Sequence, residues 1–577
     1  MVAGNTEQLR RWIQAATGRT PVDLVLRGGW VADVFQGRLV RTDVAVLEGV
    51  IVGWGEYEGP SLEVPGQVIC PGLIDGHIHL ESTLLAPWEF ARAVVPQGTT
   101  AVVADPHEIV NVAGVAGLEY ILGFQGRLPL DLFVLLPSCV PASPFETNGA
   151  AFDLPELERF RGQAGVLGLA EVMNFPGVVQ ADPQLLAKIA LFQGAVIDGH
   201  APCLRGRELN AYRLAGIASD HESTTLAEAQ DRLARGFYLM IREGSTAKNM
   251  AALWPAVTPA SRRRVMLVSD DLHPEDLQER GHLPALIKKA QALGCDPLTA
   301  LTLVTLNPAE YFRLLDRGAV APGYRADLVV VDSLETCRVQ MVMKDGRVVA
   351  SGGRLTEPPP LPASPAPQAP LLVKDLSPQT FALPAAGDLV KVIGLIPGQI
   401  LTDRLILATP VQDGLVQADI RRDILKLAVL ERHRGTGRRG LGLVHGFGLQ
   451  RGALASTVAH DSHNLIVVGV SDTDMFLAAQ HLLDLGGGLA VAADGRIVAD
   501  LPLPVAGLMS LASLEQVTAR QAALQEACRA LGCTLPDPFM ALSFLALPVI
   551  PKLKLTDQGL VDVERFAMVP LFGDESS

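Results

Sequence analysis

The sequence GLIDGHIHLES spans residues 72–82 and continues an apolar run, 68–74, with the composition of a buried parallel strand. His77 and His79 follow the run two residues apart, so their side chains project to the same side. Two imidazoles on one side of a strand end can grip one metal ion. An isolated H-x-H is more often a pair of solvated or core histidines, and the decision rests on whether other strand ends supply further ligands.

Working outward, apolar segments alternate with helical patterns at 68–74, 100–104, 132–136, 165–170, 195–197, 215–218, 238–241 and 265–268. Eight such strands match a (β/α)8 barrel, whereas an open doubly wound sheet would need no particular count. Polar clusters follow the strands, reading HIHLES, DPHE, EVMN, DGHAP, SDHES, REGS and SDDLH. Barrel enzymes keep their chemistry at these ends. Glu171 ends the fourth strand, His200 the fifth, His221 the sixth and Asp270 the eighth. With His77 and His79 they make six residues of metal-ligand type at five strand ends, in strands with almost no other charge.

The flanks read differently. Residues 1–20 suggest a leading helix, followed by short β segments in VDLVLRGGWVADV, DVAVLEGVIVGWG and EVPGQVIC. Similar texture returns in GYRADLVVVD and CRVQMVMKDGRVVASGG, so 1–67 and 316–356 are expected to complete one β-sandwich around a barrel of residues 68–315. The Pro/Ala-rich stretch EPPPLPASPAPQAP, 357–370, reads as a linker. Residues 371–577 read as a second α/β domain. Its expected strands are HNLIVVGVS, LAVAADGRIVAD and MALSFLALPVI, and its expected helices TDMFLAAQHLLDL and SLEQVTARQAALQEACRALG. Gly486, Gly487 and Gly488 most simply end the first of these helices and form no G-x-G-x-x-G phosphate loop, so no nucleotide cofactor is inferred.

A chain of 577 residues exceeds what one core organises. Its net charge of −14 argues against a nucleic-acid partner and suits a small neutral or cationic substrate. Seven scattered cysteines without a C-x-x-C pair fit a reducing compartment. The N-terminal residues lack a signal-peptide core, and the apolar stretch 539–550 is too short to span a bilayer. A cytoplasmic protein without membrane association is expected, and a homodimer or larger homo-oligomer is weakly favoured.

The H-x-H, the histidines after strands five and six and the aspartate after strand eight resemble the amidohydrolase superfamily, whose members place ligands at these positions. Many binuclear members bridge their ions with a carboxylated lysine. Here the first lysine is Lys188, in the helical pattern DPQLLAKIALF, so Glu171 is the better bridge. PGLIDGHIHLEST, DPHEIVNV, GLAEVMNFPGV, DGHAP, SDHEST, LVSDD and AHDSHN are similar to the bacterial adenine deaminases over nearly the whole chain, including a C-terminal domain most amidohydrolases lack. The resemblance implies an α/β fold, a (β/α)8 metal-dependent hydrolase barrel with a small composite β-sandwich and an additional C-terminal α/β domain. It implies two divalent ions, manganese or iron, with zinc permitted by the ligand types. The implied reaction converts adenine and water to hypoxanthine and ammonia in purine salvage.

Under that resemblance His77, His79, Glu171, His200, His221 and Asp270 hold the metals, and Asp270 also moves the proton between water and departing ammonia. A second carboxyl must protonate the ring. Glu108 is the candidate, with Asp105 and His107 as orienting groups or additional ligands. DPHE also has the form of a helix capping box, so these residues carry both readings. Glu243 and Asp271 are further substrate-side candidates that read equally as loop acids. His460, Asp461, His463 and Asn464 of AHDSHN are either a cover for the purine, a separate ligand cluster or an exposed loop. The competing functions are another amidohydrolase, acting on an aminated heterocycle, a cyclic amide or an N-acyl group, and a non-catalytic barrel scaffold.

Overall fold

Eight short parallel strands form the centre of the computed structural model, which describes residues 5–359, 365–368, 370–396 and 399–573. They are β1 (Leu73–Ile78), β2 (Thr99–Ala104), β3 (Asp131–Leu136), β4 (Val166–Val172), β5 (Val196–Gly199), β6 (Ser219–Asp220), β7 (Tyr238–Arg242) and β8 (Val265–Val268). Strands β1 to β5 pair in order, as do β6 to β8. The Ala218 N–H donates to Ile197 O at 3.0 Å across the β5–β6 edge. A parallel bridge between Ile78 and Asp270 closes the ring, with Asp270 N–H on His77 O at 3.0 Å. Ile74, Ala101, Val103, Leu135, Ala170, Met240 and Met266 form one buried cluster with Tyr311 and Phe312, which follow β8. An apolar interior of this kind leaves the polar strand ends as the place for chemistry.

The run 68–74, expected as one strand, is two. Val68–Pro71 pairs antiparallel with Leu328–Val331 and parallel with Trp30–Asp33 in a seven-stranded sheet, and only from Leu73 does the chain enter the barrel. The N-terminal contribution to the sandwich therefore extends to Pro71 instead of stopping at 67. Unbroken hydrophobicity hides the switch because both sheets bury the run. Gly72 joins them where a β-carbon would lie 2.1 Å from Thr100 Oγ1. The sixth strand also lies later than the expected 215–218, because Ala215 and Gly216 close the helix Gly206–Leu214 and regular pairing starts only at Ser219.

The seven-stranded sheet takes Trp30–Asp33, Arg38–Arg41 and Val68–Pro71 from the N-terminal side and four strands between Leu328 and Leu355 from the far side of the barrel. It shares a core with a four-stranded sheet through Leu26, Val31, Val44, Ile51, Ile69, Val330 and Met343. Part of the stretch expected as linker, 360–364 and 369, lies outside the described residues. Pro367 O nevertheless accepts from Ala506 N–H at 2.9 Å.

The C-terminal region is built on an eight-stranded sheet, antiparallel except where Leu389–Leu395 meets Arg439–His445. Helix Asp472–Leu485 packs against it and ends at Gly486, whose φ of 81° suits glycine. MALSFLALPVI, expected as a strand, instead contributes to the helix Pro538–Phe544: Asp537 caps Met540 N–H and Pro538 occupies the first turn, start signals that outweigh its β-like composition. Among the described residues no helix is long and apolar enough to cross a membrane. The domain rests on the barrel through Asp557, which accepts from Thr147 N–H at 2.9 Å and Oγ at 2.7 Å, and through Glu89, which accepts from Leu514 N–H at 2.6 Å.

The crossing at Gly72 yields a stability prediction. Gly72→Ala drives a methyl group into buried Thr100 and should cost about 1–3 kcal/mol, as other overpacked sites do. The thermal unfolding midpoint should fall, and Thr100→Ala in the same chain should restore part of it. An unchanged midpoint in the single variant would show that the two strands can separate freely.

Candidate active site

The ends of β1, β4, β5, β6 and β8 bring His77, His79, Glu171, His200, His221 and Asp270 together in the closed barrel. Glu171 is the centre of the group. Its Oε2 lies 2.9 Å from His200 Nδ1 and 2.8 Å from His221 Nε2, while Oε1 faces His107 Nδ1 at 3.6 Å and His79 Nε2 at 3.8 Å. Each oxygen thus serves a different pair of imidazoles, the disposition a bridging carboxylate needs. Asp270 Oδ1 lies 3.4 Å from His77 Nε2 and 3.3 Å from His79 Nε2. Ligand atoms bonded at roughly 2.0–2.2 Å to one ion sit about 3 Å apart, so these spacings suit shared divalent ions.

Local structure aims the rings. His79 Nδ1 lies 3.1 Å from the Asp105 carbonyl oxygen; with the ring proton donated there, Nε2 is left as the ligand atom. Asp105 Oδ1 accepts from His107 N–H at 3.1 Å, and the structure groups Asp105 and His107 with His79 and Glu171. The capping box of DPHE is half realised: Asp105 accepts from the His107 N–H at the start of the helix His107–Leu122, but Glu108 makes no return bond to the backbone and is held by His460 and His463 instead. His77 Nε2, His107 Nδ1 and Asp105 Oδ2 are buried without a hydrogen-bond partner. Buried polar atoms of imidazole and carboxylate type left in this way are the mark of a metal-binding set, and the residues fit divalent ions.

Burial would raise all three central carboxyls, yet each is held well below the usual range. Arg242, His77 and His79 do this for Asp270, His200 and His221 for Glu171, and His460 and His463, with His107, for Glu108. Asp270 also has a left-handed backbone, φ 59°, a conformation that favours glycine and is retained here at the strand end that closes the barrel.

The remaining candidates divide. Glu108 lies beside the C-terminal domain, with Oε1 2.5 Å from His460 Nδ1 and Oε2 hydrogen-bonded to His463 Nε2. AHDSHN is therefore a buried part of the site, and its reading as an exposed loop is set aside. Asp271 accepts from Ser82 Oγ, in the turn that follows β1. Glu243 is not brought to the cluster: it pairs with Lys289, accepts from Met250 N–H at 3.2 Å and lines a separate cavity with Lys248 and Arg280.

Three residues escaped the sequence reading. Arg242, the last residue of β7, bridges Glu222 Oε1 at 2.5 Å and Asp270 Oδ2 at 3.0 Å, and Glu222 Oε1 lies 3.6 Å from both His200 Nδ1 and His221 Nε2. An arginine closing an apolar strand and a second acid directly after His221 were the available signals. Glu81, in HIHLES, accepts from Ile109 N–H at 3.0 Å with one oxygen and leaves the other unpartnered at the cavity; burial pushes it up to about 7. That cavity lies between the two domains, with Glu81, Ser82 and Glu108 on the barrel side and Val458, Leu489, Leu508, Phe539 and Met540 opposite.

A closed barrel with imidazole and carboxylate ligands at its strand ends defines a metal-dependent hydrolase of the amidohydrolase class. Residues 68–349 match the amidohydrolase family, and residues 399–567 match the adenine deaminase C-terminal domain. The chain is 48% identical over 565 residues to adenine deaminase 2 of Carboxydothermus hydrogenoformans, covering 97% of this chain and 98% of that protein. It is 47% identical over 564 residues to an adenine deaminase of Desulfatibacillum aliphaticivorans, covering 97% and 99%. Against adenine deaminase 1 of Rhizobium meliloti the identity is 45% over 570 residues, covering 98% and 100%. The chain belongs to the adenine deaminase family.

If Glu171 links two ions, Glu171→Gln should lower the metal content of the purified protein to one ion per chain or fewer, read by elemental analysis on folded protein. Full metal content in that variant would remove the bridging role.

Proposed function

We infer that this chain hydrolyses adenine to hypoxanthine and ammonia. The observation that carries the reading is end-to-end similarity to adenine deaminases, through the barrel and the C-terminal domain alike. We assign the metal-holding role to His77, His79, Glu171, His200, His221 and Asp270, with Asp105 and His107 beside them. Two manganese or iron ions suit these ligands, and zinc would be accepted by the same donor types. Such ions would supply acidification of water, making a nucleophile available at neutral pH.

The protein's own groups handle the protons. Of the two on the attacking water, one must end on N1 of the ring and the other on the departing amine. Asp270, ionised through Arg242 and its histidine neighbours, takes the proton destined for ammonia. Glu108, ionised and lining the cavity, carries the other to N1, so negative charge does not accumulate on the ring. Glu81 lines the same space with one oxygen unpartnered and is the group placed to meet an N–H of the substrate, while Asp271 reaches that space only through Ser82, whose hydroxyl it holds. Seven cysteines that form no disulfide support a cytoplasmic setting, and the similarity to adenine deaminases supports a role in purine salvage.

Ammonia release from adenine, with metal assayed on the same sample, tests the reading. Asp270→Asn should retain most of the metal while turnover falls below detection. Glu108→Gln should lower kcat by about 10²–10⁴, the range for a positioned acid or base. Metal-loaded wild type that releases no ammonia from adenine, but does from another aminated heterocycle, would transfer the reading to that substrate.

A further inference from the structure

The carboxylate of Glu108 belongs to the barrel, yet its two shortest contacts come from the C-terminal domain. His460 Nδ1 lies 2.5 Å from Oε1, and His463 Nε2 is hydrogen-bonded to Oε2. His107, the barrel's own contribution, is farther away, with Nε2 3.4 Å from Oε1. All four groups are buried.

The hydrogen bonds of the 459–464 loop fix the chemistry of this contact. The Ala459 N–H donates to His463 Nδ1 at 3.1 Å, so that nitrogen is bare and the proton of the neutral ring must sit on Nε2, where it is donated to Glu108. Burial keeps the ring neutral, pulling it down to about 4. The turn that sets this tautomer is tight: His463 N–H donates to Ala459 O at 2.7 Å, and His463 has φ 54°. Arg432 Nε donates to the His463 carbonyl, and Asn464 Nδ2 donates to Thr147 O of the barrel at 2.9 Å. His460 is held separately, its ring stacked on Phe544 with centroids 5.2 Å apart and planes 18° from parallel.

We propose that His460 and His463 are positioning residues for the reaction: they clamp both oxygens of Glu108, so that the C-terminal domain aims the carboxyl that carries the ring proton. This rests on the reading of Glu108 given above. A carboxyl side chain tied at one oxygen can swing about its last bonds; tied at both it holds one plane, at the wall of the cavity that it lines. Proton delivery to a ring nitrogen requires about 2.6–3.2 Å between heavy atoms. A displacement of about 1 Å costs on the order of 10²-fold in rate.

Replacing His463 with a residue that donates from the same place, and with one that cannot donate, tests the clamp in the full-length, metal-loaded protein. His463→Leu should lower kcat for adenine about 100-fold, with KM, metal content and unfolding midpoint near wild type. His463→Gln, whose amide N–H reaches the position of Nε2, should recover at least about tenfold of that loss. His460→Leu and His460→Asn form a second pair, the asparagine N–H replacing that of Nδ1, and are compared in the same way if His463→Leu does not fold. Unchanged kcat in a folded leucine variant, or no advantage of the amide variant over it, overturns the proposal. Wild type inactive on adenine would instead unseat the substrate reading, and a fully active Glu108→Gln the role of that carboxyl, both distinguishable from failure of the clamp.

Discussion

An ionised carboxylate removed from water must be met by opposite charge or by several donors, or it costs several kcal/mol. At the mouth of this barrel Glu171, Asp270 and Glu108 are all buried and all held ionised. Each is satisfied from elements distant in sequence: Glu171 by histidines after β5 and β6, Asp270 by β1 and by Arg242 of β7, Glu108 by the C-terminal domain. Out of water, the charges are compensated only in the closed fold. The site and the tertiary structure are therefore one thermodynamic unit.

Closure has its own polar fastening below the site. Asp75, in the middle of β1, accepts from Ser269 Oγ at 2.5 Å and lies 2.9 Å from His282 Nε2, while His282 Nδ1 lies 2.7 Å from Thr99 Oγ1 of β2. The network ties the first, second and last strands at the level from which His77, His79 and Asp270 project. Its members are wholly buried, with the low dielectric strengthening each bond. Register between β1 and β8 decides whether the ligand atoms converge, and Asp75 fixes that register.

Much of this was legible because metal chemistry restricts residue type. Imidazoles and carboxylates directly after apolar strands have few structural uses, so His77, His79, Glu171, His200, His221 and Asp270 stood out from spacing alone. Residues acting through partners far along the chain did not. Arg242 looks like an ordinary charged strand end until Glu222 and Asp270 are seen on either side. His460 and His463 gain their meaning from Glu108, and no local periodicity reports a contact between domains. Val68–Pro71 was merged with the barrel because hydrophobicity records burial and is silent on which sheet does the burying. Phe539 and its neighbours have strand-like composition, and the cap at Asp537 turned them into a helix.

The sandwich sheet also has a bearing on how the chain is made. Val68–Pro71 lies between Trp30–Asp33, already synthesised, and Leu328–Val331, which leaves the ribosome only after the entire barrel. Throughout that interval one edge of an apolar strand has no partner, and an unpaired edge of this kind invites association with other chains. The last strands of the sandwich thus complete the support of the barrel before any of the C-terminal domain, and with it the partners of Glu108, has been made. Nascent chains stalled before residue 328 would expose that edge to chaperones, whereas chains released after 355 would hide it.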